Sequence, residues 1–286
     1  MPDLSGGVVD VHYHAGPDLY ERRLTSCRAA RAYAAVGGWV VVKSHLGSTA
    51  SRAWEAREAG LPVSGAVVLN DLAGGVRPQV VEQSVYEHGP DSPARLVVHL
   101  PTLTEPGHPA TALRRRPFHP RLTADEWLGA RVLDDEGRLR KEVSEVLRAA
   151  RDLPVAVATG HCNREEALRV VDEAVRLGVP RVLLTHATHP MSGFTPADLA
   201  DLAEPECVYV ELTALTRLLG HHDAEQFRTV LHAHPRIVYS SDLGQLDQPG
   251  VAEWLVMSAD WFAEAGLTEE RIKEVTSTNP ARLLAP

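Results

Sequence analysis

The chain alternates between two patterns along its whole length. Eight short runs, Val8–His12, Trp39–Lys43, Val63–Leu69, Arg95–Leu100, Pro154–Thr159, Arg181–Thr185, Cys207–Leu212 and Arg236–Ser240, are apolar at nearly every position. A strand with one wet face alternates apolar and polar residues, so continuous runs predict parallel strands covered on both faces. Between them lie segments with helical starts and stops. Asn163 and Glu166 have the spacing of an N-cap and its capping box, and Thr195-Pro196-Ala197-Asp198 supplies a cap, a proline and an acid in the right order. Gly60, Gly178 and Gly266 fall where helices should end. Eight strands alternating with helices in 286 residues predict an α/β fold, a (β/α)8 TIM barrel with residues 1–286 as its one domain. The main competitor, an open doubly wound sheet, would carry a phosphate-binding glycine fingerprint that this chain lacks.

One connection breaks the rhythm. From Pro101 to about Leu139 the chain carries several prolines, Arg114-Arg115-Arg116, Arg121 and a hairpin pattern at Val132–Leu139. So long an insertion after the fourth strand is expected to lie over the barrel mouth as a lid or binding element.

Polar side chains recur where the apolar runs end. His12 and His14 close the first run, Lys43 and His45 the second, and His99 lies near the end of the fourth. His161 and His186 follow the fifth and sixth, Glu211 lies in the seventh and Asp242 ends the eighth. Residues two apart on a strand share a face, so His12 and His14 are expected to point the same way. A barrel has its active site at the carboxyl ends of its strands. Charges there are costly without partners, and clustered imidazoles and carboxylates around cations remove that cost. Asp10 could orient His12 from behind, and Asp18 could either reach the site or make a turn. His99, His108 and His189 also read as hydrogen-bonded structural residues, and Lys43 as an ion-pair partner of Glu211 or Asp242.

Composition narrows the functional classes. A formal net charge of −9 argues against general nucleic-acid binding. No apolar run approaches the roughly 20 residues that span a bilayer, and the N-terminus lacks the pattern of a signal peptide. The cysteines, Cys27, Cys162 and Cys207, are odd in number and far apart, which makes the cytoplasm the simplest location.

With His-X-His on the first strand, histidines on the fifth and sixth and an aspartate on the eighth, the chain resembles the amidohydrolase superfamily. The resemblance extends to the closing Thr278-Asn279-Pro280-Ala281 segment. It implies one or two divalent metals held by His12, His14, His161, His186 and Asp242, with His45 as an addition. Two departures matter. Binuclear members place a bridging carboxylated lysine or a glutamate on strand four, where this chain offers His99. Lysine appears instead on strand two, and strand seven adds Glu211. A donor set this rich, without thiolates, suits iron, and also zinc or manganese. In this respect the chain resembles the TIM-barrel nonheme diiron monooxygenases of platensimycin and platencin biosynthesis.

That second resemblance implies a diiron monooxygenase of antibiotic biosynthesis that uses dioxygen to hydroxylate a coenzyme A-linked, diterpenoid-type carboxylic acid. An external electron donor would be needed, since the chain has no flavin fingerprint or iron–sulfur cysteine array. Lys43, Glu211 and His99 are then candidate catalytic residues. Arg114, Arg115 and Arg116 are candidate phosphate contacts for the coenzyme, or simply a solvated basic loop. The alternative is a metal-dependent hydrolase of an amide, lactone or related bond, with Asp242 as general base. A metal-binding barrel without catalysis is the third reading. The oligomeric state stays open, a homo-oligomer included.

Overall fold

Buried on both faces, the apolar runs pair side by side and curl until the last meets the first. The computed structural model describes residues 7–104, 116–121 and 130–286. Its strands are β1 (Val9–His14), β2 (Trp39–Lys43), β3 (Val63–Val68), β4 (Leu96–His99), β5 (Val155–Ala158), β6 (Val182–Leu184), β7 (Val208–Thr213) and β8 (Ile237–Ser240). They pair in parallel and in sequence order. The ring closes just beyond β8, where Asp242 N–H donates to His12 O and His14 N–H to Leu243 O, both at 2.8 Å. The (β/α)8 barrel expected from the pattern is the fold observed.

Helices cover the outside: α1 (Ser26–Ala34), α2 (Ala50–Glu58), α3 (Pro78–His88), α4 (Lys141–Asp152), α5 (Arg164–Leu177), α6 (Pro196–Asp201), α7 (Ala214–Leu218), α8 (Ala224–Ala233), α9 (Val251–Glu264), α10 (Glu269–Lys273) and α11 (Asn279–Leu284). The capping box expected at Asn163 is present, the cap expected at Thr195 also forms as a capping box with Asp198, and Gly178 ends α5 in the left-handed conformation. The hairpin pattern forms as a turn, with Leu133 bridged to Leu139.

Apolar burial falls into two main layers. Val9, Val11, Val41, Val97, Ala156, Leu183 and Val238 fill the barrel, and Leu283 and Leu284 of α11 plug its amino-terminal end. Val40, Val42, Val67, Val98, Val157 and Val210 face outward against the helices. Filling the lower barrel leaves only the carboxyl-terminal mouth open to chemistry. Among the described residues no helix is long and apolar enough to cross a membrane, and the three cysteines are free. Arg114, Arg115 and His108 lie outside the described residues.

Candidate metal centre

The two histidines of β1 reach the mouth because the strand is irregular. Its register against β2 shifts between Asp10 and Tyr13. Before the shift Val9 and Val11 face inward, while the Asp10 carboxylate accepts from the Tyr33 hydroxyl on α1. After it Tyr13 packs outward against Tyr33, with rings 5.8 Å apart, and His12 and His14 face inward with rings 5.2 Å apart. An extra residue in a strand reverses the side-chain phase beyond it. Asp10 secures this bulge by accepting from the backbone N–H groups of His12 at 3.0 Å and Ser241 at 3.1 Å. It therefore holds the backbone of His12, and Glu211 meets the ring.

Glu211 on β7 is fully buried, with both carboxylate oxygens hydrogen-bonded. It accepts from His12 Nδ1 at 3.0 Å, Ser240 Oγ at 2.6 Å and His186 N at 2.8 Å. Burial pushes its carboxyl up, but the neighbouring imidazoles and these bonds hold it at about 2, so it is ionised. An ionised carboxylate only accepts, so this network assigns the His12 proton to Nδ1 and leaves the lone pair on Nε2. That lone pair faces Lys43 Nζ at 2.9 Å and Asp242 Oδ1 at 3.1 Å. Asp242 Oδ1 is also 3.2 Å from His14 Nε2. Donor atoms of His12, His14 and Asp242 thus lie within 4.8 Å of one another. Two nitrogens and a carboxylate oxygen at this spacing, backed by a carboxylate on the far side of one imidazole, suit a divalent cation.

His14, Asp18 and His45 also lie within 4.8 Å of one another, but Asp18 has nothing left to offer a cation. Its Oδ1 accepts from Leu19 N at 2.7 Å, His45 N at 2.6 Å and Ser44 Oγ at 3.1 Å. Its Oδ2 accepts from Arg22 Nε at 2.7 Å and Nη2 at 2.6 Å. Although burial pushes it up, Arg22 holds the Asp18 carboxyl below its ordinary range. Asp18 therefore anchors the loop after β1, and Arg22 occupies that side of His14, 3.1 Å from Nδ1.

The other expected donors complete a ring of imidazoles. His45 lies 4.7 Å from His14 and 6.1 Å from His161, and His161 lies 5.0 Å from His186. His12 and His186 are 6.4 Å apart. His45 Nδ1 shares a 2.8 Å hydrogen bond with Thr102 Oγ1, which Asn70 Nδ2 also reaches at 3.1 Å. Burial drives His14, His45, His99 and His186 well below the usual histidine value, so these rings are neutral, as metal ligation requires. Among the described residues only His186 (φ 32°) and Asp242 (φ 52°) are non-glycine residues in the left-handed region. Such strain collects where side chains must be aimed at a site, and both belong to the expected ligand set.

Lys43 and His99 lie deeper, both fully buried. Burial lowers the Lys43 ammonium to about 8 against the opposing pull of Asp242 and Glu211. The His99 ring is 5.4 Å from that of His12, and neither of its nitrogens has a hydrogen-bond partner among the described residues. An imidazole orphaned in this way beside the donor cluster is a second sign that the site is built around a group it binds. Arg116 stands apart. It is four-fifths exposed, 3.3 Å from Glu21, and borders a cleft of about 480 Å³ with Leu215, Leu218 and Leu246.

Sequence reasoning missed Arg22, Asn70, Thr102 and Ser240. Asn70 ends the third apolar run and carried the same signal as the other strand-end residues. Arg22 was one arginine among many, and only the folded loop reveals its burial.

The model of a family of unknown function, DUF6282, matches residues 7–211. No curated protein matches the sequence. Among solved structures, a dihydroorotase superposes with a TM-score of 0.53 at 17% identity, covering 97% of this chain and 69% of that one. An organophosphorus hydrolase from Deinococcus radiodurans gives 0.49 at 17% identity, with coverages of 99% and 94%. A phosphotriesterase homology protein from Escherichia coli gives 0.49 at 13%, with coverages of 96% and 98%. At such identities the dihydroorotase likeness speaks for the barrel fold alone.

Proposed function

The chain belongs to DUF6282, a family of unknown function, and we propose that this protein is a metal-dependent hydrolase of an amide, lactone or related carbonyl bond. The observation that carries this reading is the convergence of His12 Nε2, His14 Nε2 and the strained Asp242 carboxylate at the barrel mouth. His12, His14 and Asp242 would hold a divalent cation such as zinc, manganese or iron. A second would draw on His45, His161 and His186. When bound, such an ion polarises a carbonyl and acidifies water.

The remaining chemistry belongs to the side chains. Glu211 fixes the His12 tautomer, and the bulge in β1 sets the height of both rings. Burial raises the Asp242 carboxyl above its ordinary range, which suits it to take a proton from the attacking water and pass it to the leaving group. The buried rings exclude bulk water from beneath the reacting carbonyl.

Hydrolysis also asks least of the site. A diiron monooxygenase would need dioxygen, an electron donor and, in the form expected from the sequence, a coenzyme A ester. Neither the site nor the comparisons support any of these, and Arg116 is the one member of the arginine triplet among the described residues, paired with Glu21. The test begins with elemental analysis of the purified protein. Chelator-stripped protein is then assayed on a panel of lactones, N-acyl amino acids and cyclic amides, with zinc or manganese restored. Hydrolysis lost on stripping and regained with metal is expected. Oxygen uptake by iron-loaded protein without any hydrolysis would overturn the proposal in favour of the monooxygenase.

A further inference from the structure

Lys43 and His99 are the two buried groups at the mouth that the proposed hydrolysis leaves without a task. Lys43 Nζ lies 2.9 Å from His12 Nε2. The other nitrogen of that ring is committed to Glu211 at 3.0 Å, so Nε2 has a single lone pair and Lys43 is its donor. A metal held by His12 needs the same lone pair. The ammonium and the metal therefore exclude one another at this atom, whatever the remaining coordination.

A displaced ammonium must stay hydrogen-bonded, because a buried unpaired charge is strongly destabilising. Glu211 already accepts three hydrogen bonds and Asp242 would be taken up by the metal, which leaves His99, on β4, as the acceptor in this reading. It is fully buried, its ring is 5.4 Å from the His12 ring, and both its nitrogens lack partners among the described residues. Lysine has four side-chain torsions and one mobile ammonium, so a change of rotamer carries Nζ between neighbouring acceptors while its backbone stays in β2.

Resting on the metal-centre reading above, we propose that Lys43 is a resident cation with two seats: it caps His12 Nε2 when the metal is absent and moves to His99 when the metal binds. Without metal it neutralises the buried carboxylates of Asp242 and Glu211 and keeps the donor rings aimed. Lys43 and His99 are thus positioning residues that set the metal affinity.

The experiment is a double-mutant cycle on the full chain, stripped with chelator and titrated with Zn2+ against a chromophoric competitor. Lys43→Met removes the competing donor and should tighten Zn2+ binding, by less than the roughly tenfold or more that outright loss of a hydrogen bond to a charged group would give, because His99 recovers part of that bond. It should also lower the melting temperature of the metal-free protein. His99→Leu removes the second seat and should weaken binding in the wild-type background but not beside Lys43→Met. Unchanged or weaker binding by Lys43→Met overturns the proposal, as does a His99→Leu effect that is equal in both backgrounds. Should these variants fail to fold, crystals of the wild-type protein with and without Zn2+ decide. Nζ should lie within hydrogen-bond distance of His12 in one and of His99 in the other, and an unmoved Nζ in the zinc form refutes the idea. Wild-type protein that binds no Zn2+ would instead refute the metal-centre reading beneath it.

Discussion

Replacing Glu211 by glutamine tests whether the centre depends on a carboxylate behind His12. The change keeps the size of the side chain and removes its charge. Three donors now converge on the two oxygens: His12 Nδ1 and Ser240 Oγ on one, His186 N–H on the other. A carboxamide has one oxygen, so one side must face an NH2 group. The less costly orientation keeps the bonds to His12 and Ser240 and sets NH2 against the His186 N–H, leaving a buried donor unsatisfied. That costs about 1–3 kcal/mol, which in a chain of this size lowers the melting temperature by roughly 2–6 °C. The effect on metal should be larger. A neutral amide makes His12 a poorer ligand and frees its ring to reorient, and losses of outer partners of this kind weaken metal affinity about 10- to 100-fold. Competition titration with Zn2+ measures the affinity, and thermal melting of the metal-free protein measures the stability. Melting as expected with Zn2+ affinity within about twofold of wild type would refute the reasoning, because Glu211 would then support the fold without aligning the ligand.

Asp242→Asn should lower kcat in whichever hydrolytic assay responds by about 10²–10⁴-fold, the usual worth of a general base; retained activity would place the base elsewhere. Gly244→Ala should destabilise the protein by roughly 2–5 kcal/mol in urea melts, since its φ is +125° and a Cβ there would lie 2.0 Å from His14 O. His88 is held neutral, at about 3, by burial and by Arg57. The unfolded chain takes up this proton below about pH 6.5 and the native protein does not, so stability is full above that pH and falls as pH drops from 6.5 toward 3. The contribution amounts to about 2 kcal/mol between pH 7 and pH 5, and His88→Gln should flatten that part of the urea-melt pH profile.

The apolar runs determined the parallel strands, and their number together with the missing phosphate-binding glycine fingerprint pointed to the barrel over an open doubly wound sheet. Eight continuous stretches could only be parallel strands covered on both faces, and the caps at Asn163 and Thr195 act over a few residues, so their spacing in sequence is their geometry in space. Periodicity also placed the candidate donors at strand ends, which in this fold is one end of the molecule. It did not settle which way they face. Strict alternation would have put His12 on the side of Asp10, outward against Tyr33; the bulge in β1 turns it inward. Nor did the sequence decide whether Asp18 reaches the site or makes a turn, while it placed Asp242 at a strand end among the candidate donors. Asp18 is saturated by Arg22 and three donors of the β1 and β2 loops, while Asp242 is strained toward His12 and His14. Those differences depend on contacts between groups far apart in the chain, and such contacts exist only once the barrel has closed and brought β1 against β2, β7 and β8.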